Sequence, residues 1–303
     1  MTDLALAVDI GGTKLEAALV TTDGRLVDGS RHRGPTGRER SVADLDAAVT
    51  KVVRAALSSV PDGARLVGAG VGSAGPVSLD DGAISPLNLP LWRGHPIARQ
   101  VSELSGLPTT LRLDGQCFAL AEAWVGSLAG CENAIAIVVS TGVGSGLIVD
   151  GRLVSGRTGN AGHVGQMLLR DVVDGEEPVE ATVERICSGP GTVAWARARG
   201  WSGTTGEEIV ADALRGNDLA LGALRRSTRG MAQAIVSVAA LLDIEAVSLA
   251  GGLALGYPGY VDDVAADLDR FSVLPHTRAV EVRRSSLGAD APLIGAGGLV
   301  FRL

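Results

Sequence analysis

An aspartate, two glycines, a threonine and a lysine follow an apolar run near the start of the chain, in AVDIGGTKLEAAL (residues 7–19). Glycines allow a tight turn that exposes backbone N–H groups, and Thr13 and Lys14 add side-chain donors, so the turn could bind a phosphate. Asp9 directly precedes it, where a carboxylate could hold Mg²⁺ or a water bound to Mg²⁺. Because a Gly-Gly turn is more often only a hairpin, this prediction needs a second signal.

The second signal is a repeat of the same layout further along the chain. Residues 136–154, AIVVSTGVGSGLIVDGRLV, again contain an apolar run, a Gly/Thr-rich turn and a second apolar run. Both copies then carry the identical segment DGRLV, at 23–27 and at 150–154. Asp-Gly between apolar runs is a strong hairpin signal. We therefore expect a duplicated α/β fold in which each half opens with a three-stranded meander and a glycine turn.

Helix and strand patterns alternate over the rest of the chain, as in α/β proteins. The predicted helices lie at 41–60, 117–128 and 230–243, and the predicted strands at 65–77 and 246–254. Ser41 and Asp44 form a capping-box pattern at the start of the first helix. Because no linker-like stretch separates the halves, we expect a hinge near residues 113–130.

Composition limits the class of protein. The 303 residues carry a net charge of −7 with no cluster of Lys and Arg to offset it, which argues against a nucleic-acid partner. The first residues lack a signal-peptide pattern, and no uncharged run reaches the about 18 residues of a membrane helix. Three widely spaced cysteines, Cys117, Cys131 and Cys187, indicate reduced thiols without a disulfide framework. We expect a cytoplasmic protein that binds no membrane.

Several motifs together resemble those of the ROK family of sugar kinases and sugar-responsive repressors, within the actin-like ATPase superfamily. VDIGGTK is similar to its first phosphate motif, STGVGSG to its second, VSLAGG to its adenosine motif and GADAPLIGAGGL (288–299) to its closing segment. The resemblance covers almost the whole chain. It implies two actin-like (ribonuclease H-like) α/β domains with a cleft between them: a smaller domain of residues 1–115 joined by 288–303, and a larger domain of residues 116–287.

The two glycine turns and the Gly-Gly pair after a later strand indicate a nucleotide held in that cleft, and the resemblance implies ATP with Mg²⁺. The spacing matches neither the Walker-A motif nor GxGxxG, so neither of those folds is implied. Asp9 is the expected Mg²⁺ ligand, through a water. The expected nucleotide-binding residues are Gly11, Gly12, Thr13, Lys14, Thr141, Gly142, Gly144, Gly251 and Gly252.

The sugar side of the cleft follows from the resemblance as well. LDGQCFALAE (113–122) matches the family's NDxxxxAxxE stretch, which implies that Asp114 is the general base. The alternative is that Asp114 only caps the helix that follows it. SPLNLPLW, GNAGHVGQM and VERICSG resemble three sugar-side motifs, and the implied substrate-binding residues are Gly75, Asn88, Asp114, His163, Gln166 and Glu184.

The chain departs from the family pattern at several positions. The family's CxCGxxGC zinc cluster is absent, and Gln166 replaces its zinc-binding histidine, so we expect no zinc because one thiol cannot supply about four ligands. His163 stands where the family has a glutamate, and Leu113 where it has an asparagine. These changes leave the sugar open: glucose, an N-acetylglucosamine-like sugar or an amino sugar such as kanosamine. His163 could also merely fill a turn.

Two functions compete. The first is an ATP-dependent kinase that phosphorylates a hexose or aminohexose, at C6 as in related kinases, and the second is a non-catalytic, sugar-binding regulator of the same family. The phosphate motif begins within the first ten residues, so we expect no DNA-binding domain before it. Asp9 and Asp114 are both present, which favours the kinase. The resemblance also implies a homodimer.

Overall fold

Two five-stranded sheets and their covering helices make up the computed structural model, which describes residues 2–87, 89–172 and 175–303. The strands are β1 (Thr2–Ile10), β2 (Lys14–Thr21), β3 (His32–Pro35), β4 (Ala64–Ser73), β5 (Val77–Ser78), β6 (Ala83–Ile84), β7 (Thr109–Leu113), β8 (Ala134–Val139), β9 (Val143–Val149), β10 (Arg152–Leu153), β11 (Ala246–Ala250) and β12 (Glu281–Arg284). The helices are α1 (Val42–Leu57), α2 (Ile97–Ser105), α3 (Asp114–Val125), α4 (Val183–Cys187), α5 (Gly189–Arg197), α6 (Gly206–Leu214), α7 (Asp218–Leu242), α8 (Gly252–Gly256), α9 (Tyr260–Phe271), α10 (Pro275–Arg278) and α11 (Ala291–Phe301).

The two sheets have matching topologies. Their strand orders are β3-β2-β1-β4-β7 and β10-β9-β8-β11-β12. In each, the first strand pairs antiparallel with the next strand in sequence and parallel with a later one, β1 with β2 and β4, β8 with β9 and β11. A tight turn joins each antiparallel pair, at residues 11–13 and 140–142. The structure thus confirms the duplicated α/β fold that the sequence repeat predicts.

The two DGRLV segments do not form the same element. In the second half, Arg152 and Leu153 form β10 against β9, after a turn in which Asp150 and Gly151 both have positive φ. In the first half, Leu26 makes only an isolated bridge to Val20. The Ser30 hydroxyl accepts the Leu19 N–H at 3.0 Å, so the chain leaves the sheet there and pairs with β2 later, as β3. The predicted meander is therefore correct in the second half and displaced in the first.

Helices cover both sheets. The predicted capping box is present, because the Ser41 side chain accepts the Asp44 N–H at 3.1 Å at the start of α1. Helix α7 begins at Asp218, well before the predicted 230–243. The prediction starts too late because the buried hydroxyls of Ser227 and Thr228 interrupt the apolar periodicity of the sequence. None of the helices of the described residues is long and apolar enough to cross a membrane.

Helix α11, at the end of the chain, packs on the first sheet and on α3. Ala296 and Leu299 share a buried cluster with Ala7 of β1 and Cys117 of α3. The backbones approach so closely that a Cβ added at Gly70 of β4 would overlap the Ala296 carbonyl. This packing supports joining residues 288–303 to the first domain, although the boundaries at 115 and 287 and the hinge near 113–130 stay predictions.

Candidate active site

Strand ends bring the candidate residues together. Strands β1, β4 and β7 run parallel, so their carboxyl ends meet at one edge of the first sheet, which places Asp9 near Ser73 and Leu113. In the second sheet β8 and β11 are parallel, and their ends lead into the turn 140–142 and into Gly251. In open α/β sheets, ligands bind outside the carboxyl ends of the strands. Helix α3 starts at the end of β7 and packs against β9, so it lies between the two sets of strand ends.

Asp9 is a buried carboxylate at this edge, with 8% of its surface exposed. A Cβ added at Gly72 would lie 3.7 Å from Asp9 Oδ1 and 3.0 Å from the Cys117 Sγ, so Asp9 lies beside the first turn of α3. Burial raises the pKa of Asp9 to about 7, and the charges of Asp114 and Glu16 add to the increase against those of Lys14 and Arg31. Asp9 and Asp114 are therefore near neighbours.

Asp114 is the first residue of α3 and is half-buried. Its Oδ1 accepts the adjacent Gly115 N–H at 2.7 Å, whereas Leu113 occupies the N-cap position. Asp114 thus does not make the bond of an N-cap residue, which reaches two or three positions along the helix. Burial raises the pKa of Asp114, while the Gly115 N–H and the charge of His163 act in the opposite direction.

The first glycine turn contains Gly11, Gly12, Thr13 and Lys14, between β1 and β2. The Gly11 N–H donates to the Lys14 carbonyl at 2.9 Å, and the Thr36 hydroxyl donates to the Gly11 carbonyl at 2.8 Å, so the segment after β3 supports the turn.

A buried carboxylate holds Lys14 in the same region. The Lys14 Nζ lies 2.9 Å from Glu16, which also binds Arg31 and Arg33. Burial alone would raise the pKa of Glu16, but hydrogen bonds from Arg31, Lys14 and Arg33 outweigh it and lower the pKa to about 2. This cluster of basic side chains forms only in the folded chain, since the residues lie on different strands and loops.

The second glycine turn opens into a cavity of about 670 Å³. Its walls include Ser140 and Thr141 of the turn, Gly252 at the start of α8, and apolar side chains of α5, α6 and α8: Val193, Ala194, Val210, Ala211, Leu214 and Leu253. Gly251, with φ +100°, packs so closely on the Val139 backbone that a Cβ would overlap it. A mostly apolar cavity next to a turn of backbone donors has the size and chemistry to take a nucleoside.

Gly142 of the turn and Gly144 of β9 differ in their surroundings. A Cβ added at Gly142 would lie 2.7 Å from Glu184 Oε2, whereas one added at Gly144 would have no atom within 4 Å. Gly144 therefore borders open space.

The sugar-side candidates fall into two groups. A Cβ added at Gly75 would lie 3.5 Å from His163 Nε2, and His163 acts electrostatically on Asp114, so these three residues are together. Glu184 instead faces the second turn, where it accepts the Val143 N–H at 2.9 Å. Gln166 is exposed, and no contact of the described residues joins its side chain to Asp114. Asn88 lies outside the described residues.

The sequence did not indicate the walls of the nucleoside cavity. Helices α5 and α6 supply most of them, and their starts were visible in the sequence as Pro190 after Ser188 and as a Thr205–Glu208 capping box. The sequence does not show that both helices pack around the turn at residues 140–142.

The donors at the site fit Mg²⁺ better than zinc. Mg²⁺ is usually held by one or two carboxylates, waters and the phosphates of a substrate, and Asp9 beside Asp114 can supply that share. Cys187 is a single thiol buried in the apolar core of the second domain, whereas a structural zinc site needs about four N or S ligands. Within residues 2–87, 89–172 and 175–303, no group of three His, Cys, Asp or Glu side chains could hold a metal. The absence of zinc stays a prediction.

Comparisons with known proteins agree with this geometry. The profile of the ROK family matches residues 5–302. The chain belongs to the ROK family. It is 33% identical to the N-acetylmannosamine kinase of Citrobacter koseri over 298 residues, which is 96% of each chain.

Solved structures agree as well. A ROK hexokinase from Thermus thermophilus has a TM-score of 0.82 at 28% identity and covers 97% of this chain and 96% of its own. A ROK family glucokinase from Streptomyces griseus, in complex with glucose and AMPPNP, has a TM-score of 0.81 at 26% identity and covers 98% of both chains. These structures confirm the predicted fold class of two actin-like α/β domains with a cleft, and the relatives agree with the predicted enzyme class, an ATP-dependent sugar kinase.

Proposed function

We propose that this protein transfers the γ-phosphoryl group of ATP to the C6 hydroxyl of a hexose or aminohexose, with Asp114 as the general base. The observation that carries the proposal is the position of Asp114, half-buried at the start of α3 beside Asp9, which precedes the first glycine turn. The next residue, Gly115, is packed on Ser145 of β9, the strand that follows the second turn. A carboxylate there can accept a proton while a phosphate lies on backbone donors opposite it.

The reaction needs little covalent chemistry from the protein. Asp114 accepts the hydroxyl proton, the sugar oxygen bonds to the γ-phosphorus, and the bond to the bridging oxygen breaks to release ADP. Mg²⁺, when bound, neutralises charge on the phosphates, and Asp9 would hold it through a water. A raised pKa suits Asp114 as a base, because it makes the carboxylate a better proton acceptor.

The other candidate residues take roles that follow from their places. Backbone donors of residues 12–14, in the turn that the bond from the Gly11 N–H to the Lys14 carbonyl closes, and of Thr141, Gly142 and Gly144 would bind the phosphates. The cavity that Gly252 borders would take the nucleoside, with Gly251 next to Gly252 in the chain. Neither turn contributes a carboxylate of its own, so each presents donors to an anion.

For the sugar, we propose a 2-acetamidohexose, with N-acetylmannosamine as the first candidate. Support comes from the relatives of that name at 33% and 32% identity. His163 also supports it, because an imidazole N–H can donate to an amide carbonyl, which a carboxylate cannot do. Gly75, which lies beside His163, would border the sugar, and we keep Asn88, Gln166 and Glu184 as sugar-binding candidates from the sequence alone.

A panel of sugars tests the proposal. We expect ADP release with ATP and Mg²⁺ to be fastest for N-acetylmannosamine among N-acetylmannosamine, N-acetylglucosamine, glucose, mannose and kanosamine. Asp114→Asn should lower kcat by about 10²–10⁴-fold and still bind sugar and nucleotide, because only the proton acceptor is lost. Saturable sugar binding without ADP release from any sugar would instead support the non-catalytic regulator.

Three further expectations accompany the kinase: a cytoplasmic location, a homodimer, and a small-molecule sugar rather than nucleic acid as partner. Light scattering after gel filtration would measure the subunit number, and a monomer at working concentrations would contradict the expected dimer.

A further inference from the structure

The sugar loop, which we define as residues 154–163 between β10 and the 3-10 helix Val164–Gln166, carries His163 to the side of Asp114. Inside the loop, one backbone bond from the Ala161 N–H to the Ser155 carbonyl, at 3.1 Å, closes a turn. Outside this turn, the Val154 N–H donates to the Leu147 carbonyl at 2.9 Å, and the other bonds that hold the loop against neighbouring strands and α-helices involve side chains, among them Ser145 to the Gly162 carbonyl and Arg112 to Ser155.

Gln116 is the anchor on the α3 side. Its side chain is fully buried, and its Nε2 donates to the loop carbonyls of Ala161 at 2.9 Å and Gly159 at 3.1 Å, with Val154 at 3.4 Å. Its Oε1 accepts the Leu113 N–H at 3.4 Å. Gln116 follows Asp114 by two residues on the same rigid helix, so its bonds fix the distance between the base and the loop.

Asn160 is the anchor on the opposite side. Its Oδ1 accepts the Val77 N–H at 2.9 Å and its Nδ2 donates to the Val77 carbonyl at 2.7 Å, so one side chain satisfies both backbone groups of a residue in β5. Next to this pair, a Cβ added at Gly159 would lie 2.5 Å from the Leu79 Cγ, so the loop lies directly on the segment after β5. That segment follows Gly75, the glycine beside His163.

From these contacts we infer that Gln116 and Asn160 are positioning residues for the sugar: together they clamp the sugar loop between α3 and the β5–β6 hairpin and so set where His163 meets the substrate. Neither side chain needs to touch the sugar. The nucleoside cavity contains neither residue nor any part of the loop. Losing either anchor should therefore weaken sugar binding and leave nucleotide binding intact. The inference rests on the proposed function, because that function makes this loop a wall of the sugar site.

The test uses Gln116→Met, which keeps the length of the side chain without its donors, and Asn160→Ala. Asn133→Ala is the matched control, since Asn133 also holds a loop through its side chain, accepting the Asp150 N–H at 3.1 Å at the far end of β9. We expect KM for the sugar to rise about tenfold in both variants, with KM for ATP within about twofold of the parent, as after loss of one good hydrogen-bonded anchor. The control should change neither constant.

Amide hydrogen exchange gives a readout independent of activity. Residues 154–163 should exchange faster in Gln116→Met and Asn160→Ala, while residues 140–144 should keep the parent rate. An unchanged sugar KM, or equal increases in the KM of sugar and ATP, would overturn the inference. If the parent phosphorylated no sugar, the proposed function would fail, and exchange would still decide whether the two side chains hold the loop. If Gln116→Met does not fold, the half-buried Asn160 carries both measurements.

Discussion

Gly144 gives the sharpest test of the nucleotide site, because the structure separates its effect on binding from its effect on folding. The residue lies in β9 opposite Val138, and a Cβ added there meets no atom within 4 Å. Gly144→Val should therefore change the free energy of unfolding by no more than about 1 kcal/mol, since valine favours strands. The added side chain would project into the open space that we assign to the phosphates.

The expected loss of binding follows from the bonds that a displaced phosphate gives up. A hydrogen bond to a charged group contributes about 1.5–3 kcal/mol, so losing two costs at least about 3 kcal/mol, or about a hundredfold in Kd. Isothermal titration with AMPPNP and Mg²⁺ would measure this, with Gly144→Ala falling between the parent and Gly144→Val. Sugar affinity without nucleotide should stay at the parent value. A Val variant that keeps the parent Kd would refute the assignment of this turn to the phosphates.

Four other outcomes follow from residues described above. A proton on Asp9, whose pKa is about 7, competes with Mg²⁺, so the Mg²⁺-dependent affinity for ATP should fall by up to about tenfold per pH unit below pH 7. Asp9→Asn, titrated in parallel, should show only the pH dependence that comes from protonation of ATP itself. Measured by urea unfolding in chelator as the difference from Asp9→Asn, the same shift should make the metal-free protein less stable as pH rises from about 4 to about 7, because Asp9 ionises first in the unfolded chain; a difference that does not change over this range would show that Asp9 is ionised throughout. Gly70→Ala should lower the free energy of unfolding by about 3 kcal/mol, because its Cβ overlaps the Ala296 carbonyl, whereas Gly206→Ala, with open space around it, should lose little. Elemental analysis after dialysis should find no zinc, and about one zinc per chain would contradict the argument from the missing thiols.

Local signals in the sequence predicted a large part of the fold. Each glycine turn is determined by a few adjacent residues between two strands, so VDIGGTK and STGVGSG could be identified as turns from the sequence. Their repetition predicted two similar sheets. The position of β3 was not readable, because it depends on the bond from the Leu19 N–H to Ser30, a side chain outside the repeat. The early start of α7 was hidden by Ser227, whose hydroxyl is buried between the Cys187 carbonyl and Tyr260.

The site was less predictable than the fold, for a related reason. Asp9 and Asp114 could be named because each stands in a motif next to its own strand end. The partners that hold the site depend on which segments meet in three dimensions. Glu16 binds Lys14, Arg31 and Arg33, and Asn160 binds Val77, which lies 83 residues before it in the chain. Residue spacing in a single sequence does not predict contacts between such distant segments.

The packing of α11 has a consequence for how the protein is made. Synthesis proceeds from the N-terminus, so β1 and β4 leave the ribosome long before the helix that covers Ala7 and packs on Gly70. Until α11 arrives, only α3 can cover this face of the first sheet, and the apolar side chains that α11 buries remain open to other chains. Contacts between such distant parts of a sequence form slowly, because the intervening loop must first close. The half of the molecule that is translated first is thus expected to be completed last, and the nascent chain is most prone to aggregate in that interval.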